Sequence, residues 1–137
     1  LDGLPELSVA PFISDEQSCF YIFVSELAAH TGNLRKNPNV SVLFVSPENE
    51  SANLFARERA VFKCTASELD RNTPDCATKI ANLTEKFGET VKLLNSLPDF
   101  HLFRLTPLSA KYILGFGQAF QVDLKYSEFT QISRANG

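Results

Sequence analysis

The sequence predicts a mainly β protein: a closed antiparallel barrel of six or seven strands with helices outside it. Three observations predict this class. Short aromatic and β-branched segments recur along the chain, most connections between them have hairpin length, and only one early helix and one helical pair interrupt them. The strict alternation of strand and helix that builds a parallel sheet is absent, and no G-x-G-x-x-G motif occurs.

In the first half of the chain, four segments are rich in aromatic and β-branched residues, which predicts strands at residues 7–13, 19–24, 40–45 and 54–69. A polar turn is expected at 15–18 and a hairpin-type loop at 46–53. Ser25 can cap a helix over residues 26–36, which Asn37 and Pro38 end.

In the second half, Thr73 and Pro74 open a helix whose apolar residues recur at helical spacing up to Gly88. A short second helix is expected at 89–97, ended by Pro98. Strands follow at 100–105, 109–114 and, last in the chain, 118–124. A bend at 106–108 and a glycine kink at 115–117 separate these strands.

The chain of 137 residues, 44% of them hydrophobic, fits one domain over 1–137 with a helical insertion at about 73–97. A net charge of −3 without a basic stripe argues against nucleic acid as a partner. No apolar run approaches the roughly 20 residues of a membrane span, and the first residues do not form a signal peptide. Three cysteines without metal-type spacing favour a reducing compartment, so we expect a cytoplasmic protein without a membrane partner.

The first candidate site lies at the predicted junction of a strand and a helix. Such a junction points backbone N–H groups at one place, which suits a phosphate or a carboxylate. Side-chain donors are available there from Ser25, His30, Thr31 and Asn33. The alternative is structural: Ser25 only caps the helix, and His30 lies on a surface turn.

Two further candidates follow along the chain. Arg57 and Arg59 alternate on a predicted strand and therefore point to one face, where paired guanidinium groups suit an anion. Asp99 follows Pro98 at the start of a strand, where it could orient a ligand or cap a turn. The structural alternative for the arginines is an exposed charged edge. No nucleophile–histidine–acid arrangement and no zinc spacing is present, which disfavours a hydrolase or a metalloenzyme.

An ordered series of short motifs runs along nearly the whole chain. These motifs are Pro11-Phe12, Phe20-Tyr21-Ile22, Ser25-Glu26-Leu27-Ala28-x-His30-Thr31-x-Asn33-Leu34, Asn37-Pro38-x-Val40-Ser41, Phe55-Ala56-Arg57-x-Arg59, Pro98-Asp99-Phe100 and Gly115-Phe116-Gly117-x-Ala119. The series resembles the haem-utilisation branch of the pyridoxamine 5'-phosphate oxidase-like, FMN-binding split-barrel superfamily.

The resemblance implies a split β-barrel that forms a homodimer with ligand sites at the dimer interface. It implies haem as the ligand and, in several members, oxidative haem degradation with release of iron, for which a reductant is needed. By the same resemblance, Arg57 and Arg59 would approach the haem propionates, and Ser25, Thr31 and Asn33 would belong to the binding site. Asp99 is then the candidate catalytic residue, with an orienting role toward an axial histidine.

The resemblance also implies an axial histidine near the C-terminus, and no histidine follows His101 in this sequence. We therefore expect either that the chain continues beyond Gly137 or that the protein lacks this ligand. FMN is the alternative cofactor, with His30 near the phosphate, and the protein would then be a flavoprotein. A third hypothesis is a non-catalytic split-barrel binding module.

Overall fold

A computed structural model describes residues 7, 9–27, 29–45, 58–115, 118–123 and 128–132. Its seven strands and three helices confirm the mainly β class with flanking helices. The elements in chain order are β1 (Phe12–Ser14), β2 (Phe20–Ser25), α1 (Ala29–Lys36), β3 (Asn39–Val45), β4 (Arg59–Glu68), α2 (Pro74–Phe87), α3 (Thr90–Asn95), β5 (Phe100–Gly115), β6 (Gln118–Asp123) and β7 (Glu128–Ile132).

The strands form an antiparallel sheet in the order β1-β2-β5-β4-β3, and β6 and β7 extend from β5. Strand β1 pairs with β2, β2 with β5, β5 with β6, and β6 with β7, each antiparallel. Within the described ranges, the pairing does not return from β3 to β1. The expected closed barrel is therefore not seen in this part of the chain, and the sheet is open there.

The bend predicted at residues 106–108 is wrong, because β5 runs through these residues without interruption. Its first part pairs with β2 as far as Leu105, and its second part pairs with β6 from Ser109 onward. Pro107, which has no N–H to donate, falls between these two pairings, so it costs neither of them a hydrogen bond. A register shift between Ile113 and Gly115 lies at the start of the expected glycine kink, and residues 116–117 are outside the described ranges.

Three other element predictions were wrong. The first strand starts at Phe12 rather than at residue 7, and Leu7 and Val9 are almost fully exposed. Strand β7 was missed, because the short segment from Glu128 to Ile132 has little local signal beyond its alternation. Helix α1 begins at Ala29, three residues later than expected. The loop predicted at 46–53 and the start of the strand predicted at 54–69 lie outside the described residues.

The chain divides into two compact units, residues 1–40 with 65–106 and residues 41–64 with 107–137. The single-domain expectation over 1–137 stays a prediction. In the first unit, apolar side chains from the sheet and from α2 and α3 form one core. Its buried members are Ile13, Cys19, Tyr21, Leu69, Cys76, Ile80, Leu83, Val91 and Leu102. This core joins strands β1, β2 and β5 to helices α2 and α3.

In the second unit, Cys64, Ala110 and Val122 are buried. The Phe62 ring meets the ring of Phe44 edge-on at 5.8 Å and that of Tyr112 at 6.2 Å, which are favourable aromatic geometries. Among the described residues, no helix is long and apolar enough to cross a membrane.

The two helices of the predicted insertion begin and end where the local sequence indicates. The Thr73 hydroxyl accepts from the Cys76 amide at the start of α2, and Pro74 occupies the first turn, which needs no N–H there. At the other end, Gly88 adopts a φ of 89°, a left-handed conformation that suits glycine. These local signals explain why the positions of α2 and α3 were predictable.

Candidate ligand-binding site

Three of the predicted site residues meet where β2 ends. The Ser25 hydroxyl donates to Asp99 Oδ2 at 3.2 Å, and the Thr31 hydroxyl donates to the Ser25 carbonyl at 2.6 Å. The Glu26 amide donates to the Asp99 carbonyl at 2.7 Å. Side chains from a strand end, a helix and a turn are thus joined by hydrogen bonds, and Thr31 is only 1% exposed.

Ser25 does not cap α1, contrary to the expectation. Its Oγ accepts from the Leu27 amide at 3.1 Å, a local turn that ends before the helix begins at Ala29. The hydroxyl is therefore engaged twice, as an acceptor for Leu27 and as a donor to Asp99. Ser25 therefore joins β2 to the Asp99 turn.

Asn33 on α1 contributes a buried polar atom. Its Nδ2 has no hydrogen-bond partner among the described residues. A buried amide donor without an acceptor costs about 1–3 kcal/mol, so such an atom in a native protein calls for an explanation. An acceptor supplied by a bound molecule would satisfy it.

Three other predicted site residues are placed only in part by the structure. The backbone of His30 is the second residue of α1, and its side chain lies outside the description. Arg57 also lies outside the described residues. Arg59 is half-buried at the first position of β4 and belongs to the second compact unit, whereas Ser25, Thr31, Asn33 and Asp99 belong to the first.

A ring of four ionisable side chains adjoins Ser25 and Asp99. His101 Nε2 lies 2.5 Å from a Glu26 carboxylate oxygen, and His101 Nδ1 lies 3.0 Å from Glu68. Arg35 closes the ring, at 2.9 Å from Glu68 and 3.8 Å from Glu26. A neutral imidazole has only one N–H, so both contacts of His101 are hydrogen bonds only when the ring carries two protons. The hydrogen bond to Glu68 also raises the pKa of Arg35.

The sequence interpretation missed this ring. His101 has a local signal only in its position two residues after Asp99, at the start of β5. Glu68 has none, since it is 33 residues from Arg35 and more than 30 from His101, and these contacts depend on the fold.

A second polar cluster lies beside the core of the first unit. The Tyr21 hydroxyl donates to Asp15 at 2.6 Å and accepts from Arg104 Nε at 3.0 Å, and Arg104 also contacts Asp75. Burial and the bond to Asp15 raise the pKa of Tyr21 to about 12, although Arg104 opposes the rise. Burial raises the pKa of Asp15, but the bonds from Tyr21 and two backbone amides outweigh it, and the net shift is downward.

This second cluster satisfies its own groups. Tyr21 is 1% exposed, and its hydroxyl has both a donor and an acceptor. Lys79 lies 4.0 Å from Asp15 and 4.8 Å from the centre of the Tyr21 ring. Because every charge in it faces an opposite charge or a ring, the cluster supports the fold. No three metal-ligating side chains come together among the described residues.

Comparison with known proteins identifies similar sequences. A family model described as pyridoxamine 5'-phosphate oxidase matches residues 1–114. The chain is 40% identical over 120 residues to the haem oxygenase HutZ of Vibrio cholerae. The aligned region covers 88% of this chain and 68% of that protein.

Several solved structures resemble this chain in fold. A crystal structure of HutZ from Vibrio cholerae, described there as a haem storage protein, has a TM-score of 0.72 at 39% identity, covering 77% of this chain and 74% of that one. Campylobacter jejuni ChuZ has a TM-score of 0.77 at 27% identity, covering 92% of this chain and 51% of that one. A pyridoxamine 5'-phosphate oxidase-related FMN-binding protein from Nostoc punctiforme shares the fold, with a TM-score of 0.69 at 12% identity, covering 96% and 82%.

Proposed function

Because this chain belongs to the pyridoxamine 5'-phosphate oxidase family, we propose that it is a haem-binding protein of the haem-utilisation branch. The single observation that carries the proposal is the 40% identity, over 88% of the chain, to a protein named haem oxygenase. Oxidative haem degradation is the activity we assign to it, with haem as the substrate and with an external reductant.

The residues of the first unit fit a haem ligand in two respects. The buried Nδ2 of Asn33 lacks an acceptor within the described part of the chain, and a propionate carboxylate is one. Leu27, beside the Ser25–Asp99 pair, is 90% exposed, which suits cover by an apolar porphyrin face. Bound haem supplies the iron and the redox chemistry.

Each predicted residue has a role in this proposal. Arg57, Arg59 and Asn33 would hold the propionates, and His30 would add a donor near them. Ser25 and Thr31 would fix the wall of the site through their bonds to each other and to Asp99. Asp99 would have an orienting role beside the haem, with one carboxylate oxygen restrained by Ser25. The proposal gives these residues binding and orienting tasks only.

We further propose that the protein acts as a homodimer in a reducing cytoplasm. Apolar side chains on β3 and β5 are about half exposed, at Leu43, Leu108 and Leu114, which supports burial against a second copy. Cys19 and Cys76 carry free, buried thiols, in keeping with a reducing compartment. Sedimentation showing a monomer at micromolar concentration would contradict the dimer.

The test of function is a titration of the purified protein with haemin, followed by the Soret band. Saturable binding at one haem per chain supports the proposal. A parallel titration with FMN addresses the alternative, because a flavoprotein would take up FMN and release it on denaturation. A protein that binds neither ligand would be a non-catalytic module, and the haem proposal would be wrong.

A further inference from the structure

Arg71 reaches from the turn between β4 and α2 to the segment that carries Asp99. Its Nη1 donates to the carbonyl of Leu97 at 3.1 Å and to that of Phe100 at 3.3 Å. Its Nη2 donates to Asn95 Oδ1 at 3.1 Å and also to the Asn95 carbonyl. Asn95 ends α3 and Phe100 begins β5, so one guanidinium group bonds to both sides of residues 96–99.

These bonds compensate for a weak turn. Residues 97–100 form a four-residue turn with Pro98 and Asp99 in the middle, and its closing bond from the Phe100 amide to the Leu97 carbonyl is long, at 3.5 Å. Arg71 donates to the same Leu97 carbonyl. Carbonyl groups at the end of a helix also lack intrahelical donors, and a cation is favourable there.

The turn that carries Arg71 is held by several hydrogen bonds. Leu69, two residues before Arg71, is buried, and its amide donates to the Leu102 carbonyl at 2.9 Å. Asp70 accepts from the Thr73 hydroxyl at 2.7 Å through its carbonyl and from the Asn72 amide at 2.9 Å through its side chain. The turn that carries Arg71 is therefore rigid, and the planar guanidinium can hold the Asp99 turn in one place.

We propose that Arg71 is a positioning residue for Asp99. By holding the carbonyls on both sides of the turn, it keeps the Asp99 carboxylate within reach of the Ser25 hydroxyl. The inference rests on the proposed function, in which Asp99 faces the haem site. Arg71 itself touches no ligand in this scheme and acts only through the backbone of the turn.

The test compares Arg71→Gln, Asp99→Asn and the double variant by haemin titration and by the absorption spectrum of the loaded protein. We expect each single variant to weaken haemin binding about tenfold and to give the same altered Soret spectrum, and the double variant to be no worse than either. Arg71→Lys should not restore binding, because an ammonium group cannot make the same forked contacts. Lys92→Gln, an exposed change on α3, should leave binding unchanged.

A second measurement works without haem. Backbone amide resonances of Asp99 and of Glu26, whose N–H donates to the Asp99 carbonyl, should shift in Arg71→Gln and stay in place in Lys92→Gln. Wild-type protein that fails to bind haemin would refute the proposed function, and the amide shifts would still decide the positioning role. Unmoved amides, or binding losses that add in the double variant, would overturn the inference about Arg71.

Discussion

The hydroxyl of Ser25 donates to the carboxylate of Asp99 at 3.2 Å, which joins the end of β2 to the turn before β5. The same hydroxyl accepts from the Leu27 amide, and the Ser25 carbonyl accepts from buried Thr31. One short residue thus connects a strand, a loop, a helix and the turn of Asp99.

Replacing Ser25 with alanine should lower the free energy of unfolding by about 1–2 kcal/mol, since Asp99 and the Leu27 amide each lose a hydrogen-bond partner. Urea unfolding measures the change. The matched control is Ser67→Ala, an exposed serine on β4, for which the expected change is within about 0.5 kcal/mol. Equal losses in the two variants would show that the Ser25 hydroxyl has no structural role.

Asn33→Leu should make the ligand-free protein more stable and its haemin binding weaker. Removing a buried donor without a partner should raise the free energy of unfolding of the ligand-free protein by about 1 kcal/mol. The same change should weaken haemin binding, because the donor proposed for a propionate is gone. The exposed Asn39→Leu on β3 serves as the control and should change neither quantity. A variant that is less stable and binds haemin normally would contradict the role given to Asn33.

Alkaline pH should destabilise the protein through Tyr21. Its pKa is about 12 in the fold, whereas an unfolded tyrosine ionises with a pKa of about 10. Between these values the unfolded chain has released the proton and the folded protein has not, so the free energy of unfolding falls as pH rises, by at most about 1.4 kcal/mol per pH unit. Unfolding of the wild type and of Tyr21→Phe from pH 9 to 12 measures the difference. If the difference in the free energy of unfolding between the wild type and Tyr21→Phe stayed constant over this pH range, the raised pKa of Tyr21 would be refuted.

The contact between His101 and Glu68 should contribute more than the exposed pair of Arg35 and Glu68. The His101 side chain is 12% exposed and that of Arg35 is 42%, so water screens the first contact less. Double-mutant cycles with alanine should give a coupling of about 0.2–1 kcal/mol for Arg35–Glu68 and a larger one for His101–Glu68. The reverse order would contradict the expectation that lower exposure strengthens the contact of His101 with Glu68.

Much of the fold follows from local chemistry. Thr73 and Pro74 start α2, Gly88 ends it, and Asn37 with Pro38 follows α1, each for reasons contained in a few neighbouring residues. The error at residues 106–108 has a physical origin as well. Pro107 suggests a break, but its place between two strand pairings depends on partners that are distant in sequence.

The site was only partly predictable for the same reason. Ser25, Thr31 and Asp99 were singled out from the chain, and the fold brings them together. The contacts of Arg71 with the Asp99 turn span more than 20 residues and leave no local pattern. The prediction that Ser25 caps α1 was wrong for a related reason. A serine before a helix has the same sequence signal whether it caps the helix or ends a strand.

The most direct test of the central claim is the haemin titration of the full chain. The account predicts a saturable Soret change at one haem per chain, weakened by Arg59→Ala and by Asn33→Leu and unchanged by the exposed Asn39→Leu. No saturable Soret change, or equal binding by all three variants and the wild type, would contradict it.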